Sequence, residues 1–176
     1  QPVDHLGRDV HEQAHQPERP DARGDANAGV AAAGAHGPHC AMRLRQIALV
    51  ARELEPVLAD LCEVLGAEEC FRDPGVAEFG LHNALLAIGT SFLEVVSPVR
   101  EGTTAGRLLE RRGGDGGYMV IVQTDDLAAD RKRIDELGIR VVWQVKLSDA
   151  ATMHLHPRDV GAAILSFDQM TPPESW

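Results

Sequence analysis

The chain has 176 residues, of which 44% are hydrophobic, and a formal charge of −10 at pH 7. The length suits one domain or two small modules with a shared core, and no apolar run approaches the roughly 20 residues that span a bilayer. The negative charge disfavours nucleic acid and anionic membrane lipid as partners, because like charges repel. Three cysteines without CxxC spacing disfavour a disulfide framework and a zinc knuckle, so a reducing cytoplasm is the expected compartment.

Residues 1–41 differ in composition from the rest of the chain. They are rich in His, Pro, Gly, Ala, Asp and Arg, and they contain one leucine and no aromatic residue. Such a segment buries too little apolar surface to offset the entropy of ordering it, so we expect disorder. Because Met42 stands immediately before the first strand-like run, one hypothesis is that the native chain begins there. Mass spectrometry of the native N-terminus tests it, and a peptide from upstream of Met42 would refute it.

An internal repeat organises the chain from Met42 onward. The strand-like run Gln46–Leu54 aligns with Met119–Leu127 at an offset of 73 residues, and each run ends in an acidic residue and a leucine. Phe92–Val96 aligns with Ile164–Asp168 at an offset of 72 residues. The chain therefore contains two copies of one unit. We predict a domain over residues 42–176 with a first module at about 42–98, a linker at 99–116 and a second module at about 117–170.

Each unit begins with a strand followed by a helix. Leucines and valines recur at spacings of three and four over about residues 53–65 and predict a helix with one apolar face, ended by Gly66. A second helix is predicted at about 126–137, before Gly138. A short linker helix is predicted at about 103–112. Three strand-like runs separated by turn residues follow each of the first two helices, at about 69–72, 78–88 and 91–96 and at 140–147, 151–155 and 162–168.

This repeated βαβββ pattern resembles the vicinal oxygen chelate superfamily, also called the glyoxalase/bleomycin-resistance fold. The matching stretches are Gln46–Leu54, Phe92–Pro98, Tyr118–Leu127 and His156–Asp168. The resemblance implies an α+β fold in which two βαβββ modules form half-barrel sheets around a shared cleft, with the helices outside. Members include glyoxalases, methylmalonyl-CoA epimerases, extradiol dioxygenases, fosfomycin thiol transferases and metal-free drug-binding proteins. A homodimer is a further expectation from the resemblance, although the sequence identifies no interface.

The resemblance also implies four ligand positions for one divalent metal ion, on the first and last strand of each unit. In this chain they are Gln46, Glu94, Met119 and Ser166. Of these four residues, Gln46 and Glu94 are the ones that we predict as metal ligands. A thioether and a neutral hydroxyl are poor ligands for such ions, so whether a metal is bound stays open. A shift of the alignment by one residue would place Tyr118 at the third position without restoring a usual ligand.

Strand alternation indicates which other side chains face the cleft. His154 and His156 share one face of their strand, opposite two apolar residues, so they face the cleft or solvent. Glu94 shares its face with Phe92 and Val96. A carboxylate among apolar neighbours has a raised pKa and is able to accept a proton. The predicted catalytic residues are Glu94 and His156, and the predicted ligand-binding residues are Gln46, His82, Phe92, Met119, His154 and Ser166.

Other residues are weaker candidates for the cleft. His82 and Asn83 form a polar pair whose side chains must point apart. The linker-helix arginines are candidates for a clamp on a carboxylate or a CoA phosphate, with surface solvation as the alternative; they are Arg107, Arg111 and Arg112. The apolar candidates are Phe92, Met119, Val120, Phe167 and Trp143.

Two functions from different classes remain open. The leading hypothesis is a glyoxalase- or epimerase-like lyase or isomerase that acts on a small carbonyl or acyl compound. Glu94 would be the base or metal ligand, assisted by Gln46 and His156. The alternative is a metal-free protein that binds and sequesters an apolar metabolite or drug. A third possibility is an accessory module for dimerisation. The partner in the first two cases is a small molecule, and whether the protein is an enzyme stays open.

Overall fold

The structure, a computed structural model, describes residues 42–161 and 163–175. The predicted disorder of residues 1–41 lies outside the described residues. None of the described helices is long and apolar enough to cross a membrane. The strands are β1 (Arg43–Val50), β2 (Glu69–Phe71), β3 (Leu81–Ile88), β4 (Ser91–Pro98), β5 (Gly116–Gln123), β6 (Val141–Lys146), β7 (Ala150–Leu155) and β8 (Ile164–Met170). The α-helices are α1 (Leu54–Leu65), α2 (Thr104–Arg112), α3 (Leu127–Glu136) and α4 (Pro157–Val160).

The strands form one curved eight-stranded sheet in which the internal repeat is visible. Their order is β2-β3-β4-β1-β5-β8-β7-β6. In each half the first strand pairs in parallel with the last, β1 with β4 and β5 with β8. The last strand then pairs antiparallel with the strand before it. The antiparallel pair β1–β5 joins the two halves at the centre. The predicted α+β fold of two βαβββ modules is therefore confirmed.

Helices cover both faces of the first half-sheet. Val95 of β4 packs in a buried cluster with Leu54 and Leu58 of α1. Its neighbour Val96 packs in a second cluster with Leu109 of α2. Because successive residues of a strand point to opposite faces, α1 and α2 lie on opposite sides of β4. The face that carries α2 is the one from which Val96, and with it Glu94, projects.

The second half-sheet packs against α3 with the face that lies opposite the α2 side of the sheet. Ile134 of α3 packs in a buried cluster with Met153, Leu155 and Phe167. The expectation that Phe167 lines the cleft is therefore wrong. On β8 the alternation turns Phe167 toward α3, and its neighbour Ser166 points to the opposite face.

One predicted strand begins later in the structure than the sequence indicates. The sequence predicts a strand over residues 78–88, but a 3-10 helix occupies Pro74–Phe79 and β3 begins only at Leu81. The Asp73 carboxylate accepts a hydrogen bond of 2.7 Å from the Gly75 N–H and so caps the 3-10 helix. Gly80 ends it at a φ of 70°, a conformation that favours glycine.

The curvature of the open sheet brings side chains from its two halves into contact. Phe79, at the end of the 3-10 helix, contacts Trp143 of β6 edge to face, with ring centroids 5.4 Å apart. Phe79 precedes β3 near one edge of the sheet, whereas β6 is the strand at the other edge. The aromatic contact therefore bridges the two halves of the open sheet across a cleft on the face that carries α2.

Candidate functional site

The strand register relates the four superfamily positions as two equivalent pairs. On the parallel strands β1 and β4, the partner of Gln46 lies two residues before Glu94. On β5 and β8, the partner of Met119 lies two residues before Ser166. Residues paired across a sheet point to the same side. The register across the four central strands therefore places all four positions on one face.

Glu94 is the centre of a buried hydrogen-bond network on that face. Its side chain accepts a bond of 2.5 Å from the Asn83 amide on one carboxylate oxygen and a bond of 2.7 Å from the Gln46 amide on the other. The residue is 5% exposed. Burial raises the pKa of the Glu94 carboxyl, although the two hydrogen bonds oppose that shift.

Asn83 reaches Glu94 because it occupies the inward position on β3. The Asn83 Oδ1 accepts a bond of 2.8 Å from the Asp73 N–H, which turns the amide NH₂ toward Glu94. His82 is exposed and lies on the opposite face of β3. Of the polar pair weighed from the sequence, Asn83 is therefore the one that belongs to the Glu94 network.

The residues at the four positions do not fit a divalent metal ion. Both oxygens of Glu94 accept N–H donors, and Gln46 presents its amide nitrogen to the carboxylate. The Ser166 hydroxyl donates to Asp168 at 2.5 Å, and Met119 offers a thioether, which hard and borderline ions bind poorly. Among residues 42–161 and 163–175, no group of three or more His, Cys, Asp or Glu side chains is placed to hold a metal.

A cavity of about 1000 Å³ opens between the two modules on the α2 face of the sheet. Leu81 of β3 and Ile164 of β8 form part of its wall, as do the contacting rings of Phe79 and Trp143. Its volume lies at the upper end of the range for small-molecule sites. We therefore take it as the candidate ligand site.

The lining of this cavity is basic in an acidic protein. Arg107 and Arg111 of α2 and Arg158 of α4 line it, and no aspartate or glutamate does. Within the described part of the chain, none of these three arginines forms an ion pair. Arg107 is held by a bond of 2.6 Å to the Gly102 carbonyl, which leaves its positive charge uncompensated. The cavity is therefore suited to an anionic ligand.

Tyr118 connects the cavity with the Glu94 network. The side chain lines the cavity and packs against the α2 cluster. Burial raises the pKa of the Tyr118 hydroxyl, and the nearby charge of Glu94 raises it further. Tyr118 thus lines the ligand site and lies close enough to the buried carboxylate to be affected by its charge.

Both histidines predicted from strand alternation line the cavity. The His154 ring lies 4.5 Å from the Trp143 ring, between centroids, and burial lowers the pKa of His154 to about 4. It is therefore neutral at neutral pH. The His156 Nδ1 accepts a bond of 3.1 Å from the Arg158 N–H and so caps α4. Among the described residues, neither histidine makes a recorded hydrogen bond with Glu94.

The other predicted residues lie outside this cavity. Phe92 lines a separate shallow groove, which Gln46 shares. Met119 is half-buried on the central strand β5. Ser166 is fully buried beside Asp168.

Sequence reasoning did not identify a second carboxylate, Asp168. It accepts bonds from Ser166 at 2.5 Å and from Thr152 at 2.6 Å. Burial raises the pKa of the Asp168 carboxyl against the effect of these two bonds. Alternation along β8 was the available signal, because it places Asp168 on the same face as Ser166. Arg158 was likewise not selected, although it follows directly after His156-Pro157.

Comparisons with known proteins agree with this fold. A family model described as a glyoxalase-like domain matches residues 46–175. The ethylmalonyl-CoA/methylmalonyl-CoA epimerase of Cereibacter sphaeroides is 24% identical over 132 residues, which cover 73% of this chain and 98% of that protein. A solved methylmalonyl-CoA epimerase in complex with methylmalonyl-CoA and NH4+ superposes with a TM-score of 0.65 at 24% identity, over 73% of this chain and 94% of that one. The methylmalonyl-CoA epimerase from Mycobacterium tuberculosis superposes with a TM-score of 0.63 at 20% identity, over 72% of this chain and 87% of that one.

Proposed function

The chain belongs to the glyoxalase-like domain family of the vicinal oxygen chelate superfamily, and we propose that it is an isomerase that moves a proton next to the carbonyl group of an anionic acyl compound. The similar proteins named above are epimerases of acyl-CoA compounds, which is one class of isomerase. At 24% identity they support the fold of this chain, so its reaction has to be argued from its own residues.

The basic cavity is the observation that carries the proposal. Among the described residues, three arginines without an ion-pair partner line one cavity that no acidic side chain lines. The chain as a whole carries a net negative charge. Guanidinium groups bind carboxylates and phosphates through charge-assisted hydrogen bonds. The same positive charges would stabilise the negative charge that develops when a proton leaves the carbon next to a carbonyl.

Glu94 is the group that we propose as proton acceptor. Its raised pKa brings it closer to the range in which a carboxylate accepts and returns a proton near neutral pH. Tyr118 lines the cavity and lies near enough to Glu94 to be affected by its charge. In the proposed step the carbon–hydrogen bond breaks and its electron pair moves into the enolate. The proton passes to the Tyr118 oxygen, and at the same time the phenolic proton of Tyr118 passes to Glu94. A proton from solvent, delivered to the other side of the planar carbon, gives the isomer, and Glu94 releases its proton to solvent by the reverse relay through Tyr118.

A metal-free binding protein is the second candidate, and the Glu94 network favours it. Both carboxylate oxygens already accept N–H donors, and Glu94 does not itself line the cavity. A protein that only sequesters an anionic metabolite needs no proton acceptor. Binding without isotope exchange is the result that this candidate predicts.

Exchange of substrate hydrogen with solvent deuterium distinguishes the two candidates. The full chain is incubated in D₂O with methylmalonyl-CoA and, separately, ethylmalonyl-CoA, and the hydrogen next to the carbonyl groups is followed by NMR. Isomerase activity predicts exchange above the spontaneous rate, lost in Glu94→Gln and kept in Glu136→Gln, which removes an exposed carboxylate on α3. Binding without exchange supports the sequestering protein. The absence of both binding and exchange would refute an acyl thioester ligand.

A further inference from the structure

We infer that this chain has replaced the metal centre of its superfamily with a carboxamide clamp, in which the amides of Gln46 and Asn83 hold the Glu94 carboxylate and no divalent metal binds. The inference goes beyond the proposed reaction and does not depend on it. It concerns how the buried carboxylate is held, whether the domain is an isomerase or a binding protein.

The hydrogen bonds of the clamp engage both oxygens of Glu94 and turn the Gln46 amide nitrogen, not its oxygen, toward that carboxylate. A metal ligand must direct a lone pair at the ion. Gln46 directs an N–H at one oxygen of Glu94 over 2.7 Å, and Asn83 directs an N–H at the other over 2.5 Å. An ion bound by Glu94 and Gln46 would require the Gln46 amide to turn over. That rotation would remove a donor from a carboxylate that is 5% exposed.

The second module offers no replacement donor set. Met119 is a thioether, and the Ser166 hydroxyl is committed to Asp168. Asp168, the nearest carboxylate along β8, accepts from Ser166 and Thr152. His154 pairs with Ser166 across β7 and β8, but its ring packs against Trp143 at the cavity. A divalent ion near Glu94 would therefore lack the three or four strong ligands that such centres have.

The clamp also performs what a metal would do for the carboxylate. Two N–H donors stabilise the ionised form in a buried place and fix the orientation of both oxygens. Asn83 is itself fixed, because its Oδ1 accepts the Asp73 N–H at 2.8 Å. Gln46 and Asn83 are accordingly positioning residues that act through Glu94.

The test measures metal binding with and without Glu94. The full chain and its Glu94→Gln variant are titrated with Co²⁺ and followed by elemental analysis, visible absorption and thermal melting. Five histidines precede Met42, so only the difference between the two proteins reports on this site. We expect no difference in bound Co²⁺ and no Glu94-dependent rise in melting temperature. One equivalent of Co²⁺ that Glu94→Gln loses would overturn the inference.

Restoring the ligands should restore the metal. The variant Gln46→His, Met119→His, Ser166→Glu keeps Glu94 and should gain one equivalent of Co²⁺ with a visible absorption band, lost when Glu94→Gln is added. A folded variant without that band would contradict the assignment of these four positions to the lost centre. If the triple variant does not fold, the double variant that leaves Ser166 unchanged should show weaker, Glu94-dependent Co²⁺ binding, and the wild-type titration still decides whether the centre is lost. Neither readout requires turnover, so a failed isotope-exchange experiment and a failed metal prediction remain distinguishable.

Discussion

Asn83 on β3 and Glu94 on β4 are joined by a hydrogen bond of 2.5 Å that has a counterpart in the second half of the sheet. There the hydroxyls of Thr152 on β7 and Ser166 on β8 lie 3.0 Å apart. In both halves the first residue lies two positions before the cross-strand partner of the second. The repeat is therefore preserved in side-chain geometry, but only the first module keeps a carboxylate at this position.

Substitution of Asn83 should destabilise the fold because it leaves a buried carboxylate oxygen without a donor. For Asn83→Ala we expect the free energy of unfolding to fall by about 1–3 kcal/mol. His82→Ala is the matched control, since His82 is exposed on the same strand, and should change it by less than about 0.5 kcal/mol. Urea unfolding monitored by circular dichroism measures both. Equal effects of the two substitutions would mean that the Asn83–Glu94 bond contributes nothing to stability.

Loss of a cavity arginine should weaken the binding of anionic ligands. For Arg111→Gln we expect the KM or Kd of an acyl-CoA compound to rise about 3- to 10-fold, because an exposed guanidinium contributes about 1 kcal/mol or slightly more to such a contact. Lys132→Gln removes an exposed positive charge from α3, which does not line the cavity. This control should leave affinity unchanged. Titration calorimetry at two salt concentrations measures both variants, and equal weakening in both would indicate a diffuse charge effect rather than a site.

Acid should destabilise the protein through His154. Burial lowers the pKa of His154 to about 4 in the folded chain, from 6.5 when it is exposed. Between pH 6.5 and 4 the unfolded chain therefore binds a proton that the folded chain does not, and the free energy of unfolding decreases as pH falls, by up to about 3 kcal/mol. His154→Gln lacks this loss. The unfolding free energy of the wild type minus that of the variant should therefore decrease steadily as pH falls from 6.5 to 4. A constant difference would contradict the burial of His154.

Trp143 should report ligand binding through its fluorescence. It lines the cavity and contacts both Phe79 and His154. In a Trp176→Phe background Trp143 is the remaining tryptophan, and an acyl-CoA ligand should change its emission. Phe79→Ala should raise the Kd measured this way and cost only about 0.5–1.5 kcal/mol in stability, the usual range for an aromatic pair. No emission change under saturating ligand would place the ligand elsewhere.

Sequence periodicity predicted the parts of the fold that local pattern determines. The apolar stripe of α1 predicted residues 53–65, and the helix spans Leu54–Leu65. Alternation predicted that Glu94 shares a face with Val96, and the structure places Val96 on the side of α2. The predicted strand at 78–88 failed at its start, because capping by Asp73 and the conformation of Gly80 favour a 3-10 helix there.

The ligand site was less predictable because it forms only when distant segments meet. Arg107 and Arg158 lie 51 positions apart in the sequence and line one cavity only because the curved sheet brings its two halves together, as the contact between Phe79 and Trp143 shows. On each strand the alternation identified two faces but not which one meets the cavity, and Phe167 was assigned to the wrong one. The resemblance to the superfamily, in contrast, identified the positions of Gln46, Glu94, Met119 and Ser166 without knowledge of the tertiary structure.

Metal-independent proton transfer by Glu94 is tested most directly by the rate of hydrogen–deuterium exchange at the carbon next to the carbonyl groups of methylmalonyl-CoA, measured in the presence of EDTA. If Glu94 is the proton acceptor and no metal is needed, the chelator-treated wild type should exchange about 100-fold or more faster than Glu94→Gln, since a positioned proton acceptor contributes that factor or more. Equal rates for the two proteins, or wild-type exchange that appears only after a divalent metal is returned, would contradict this mechanism.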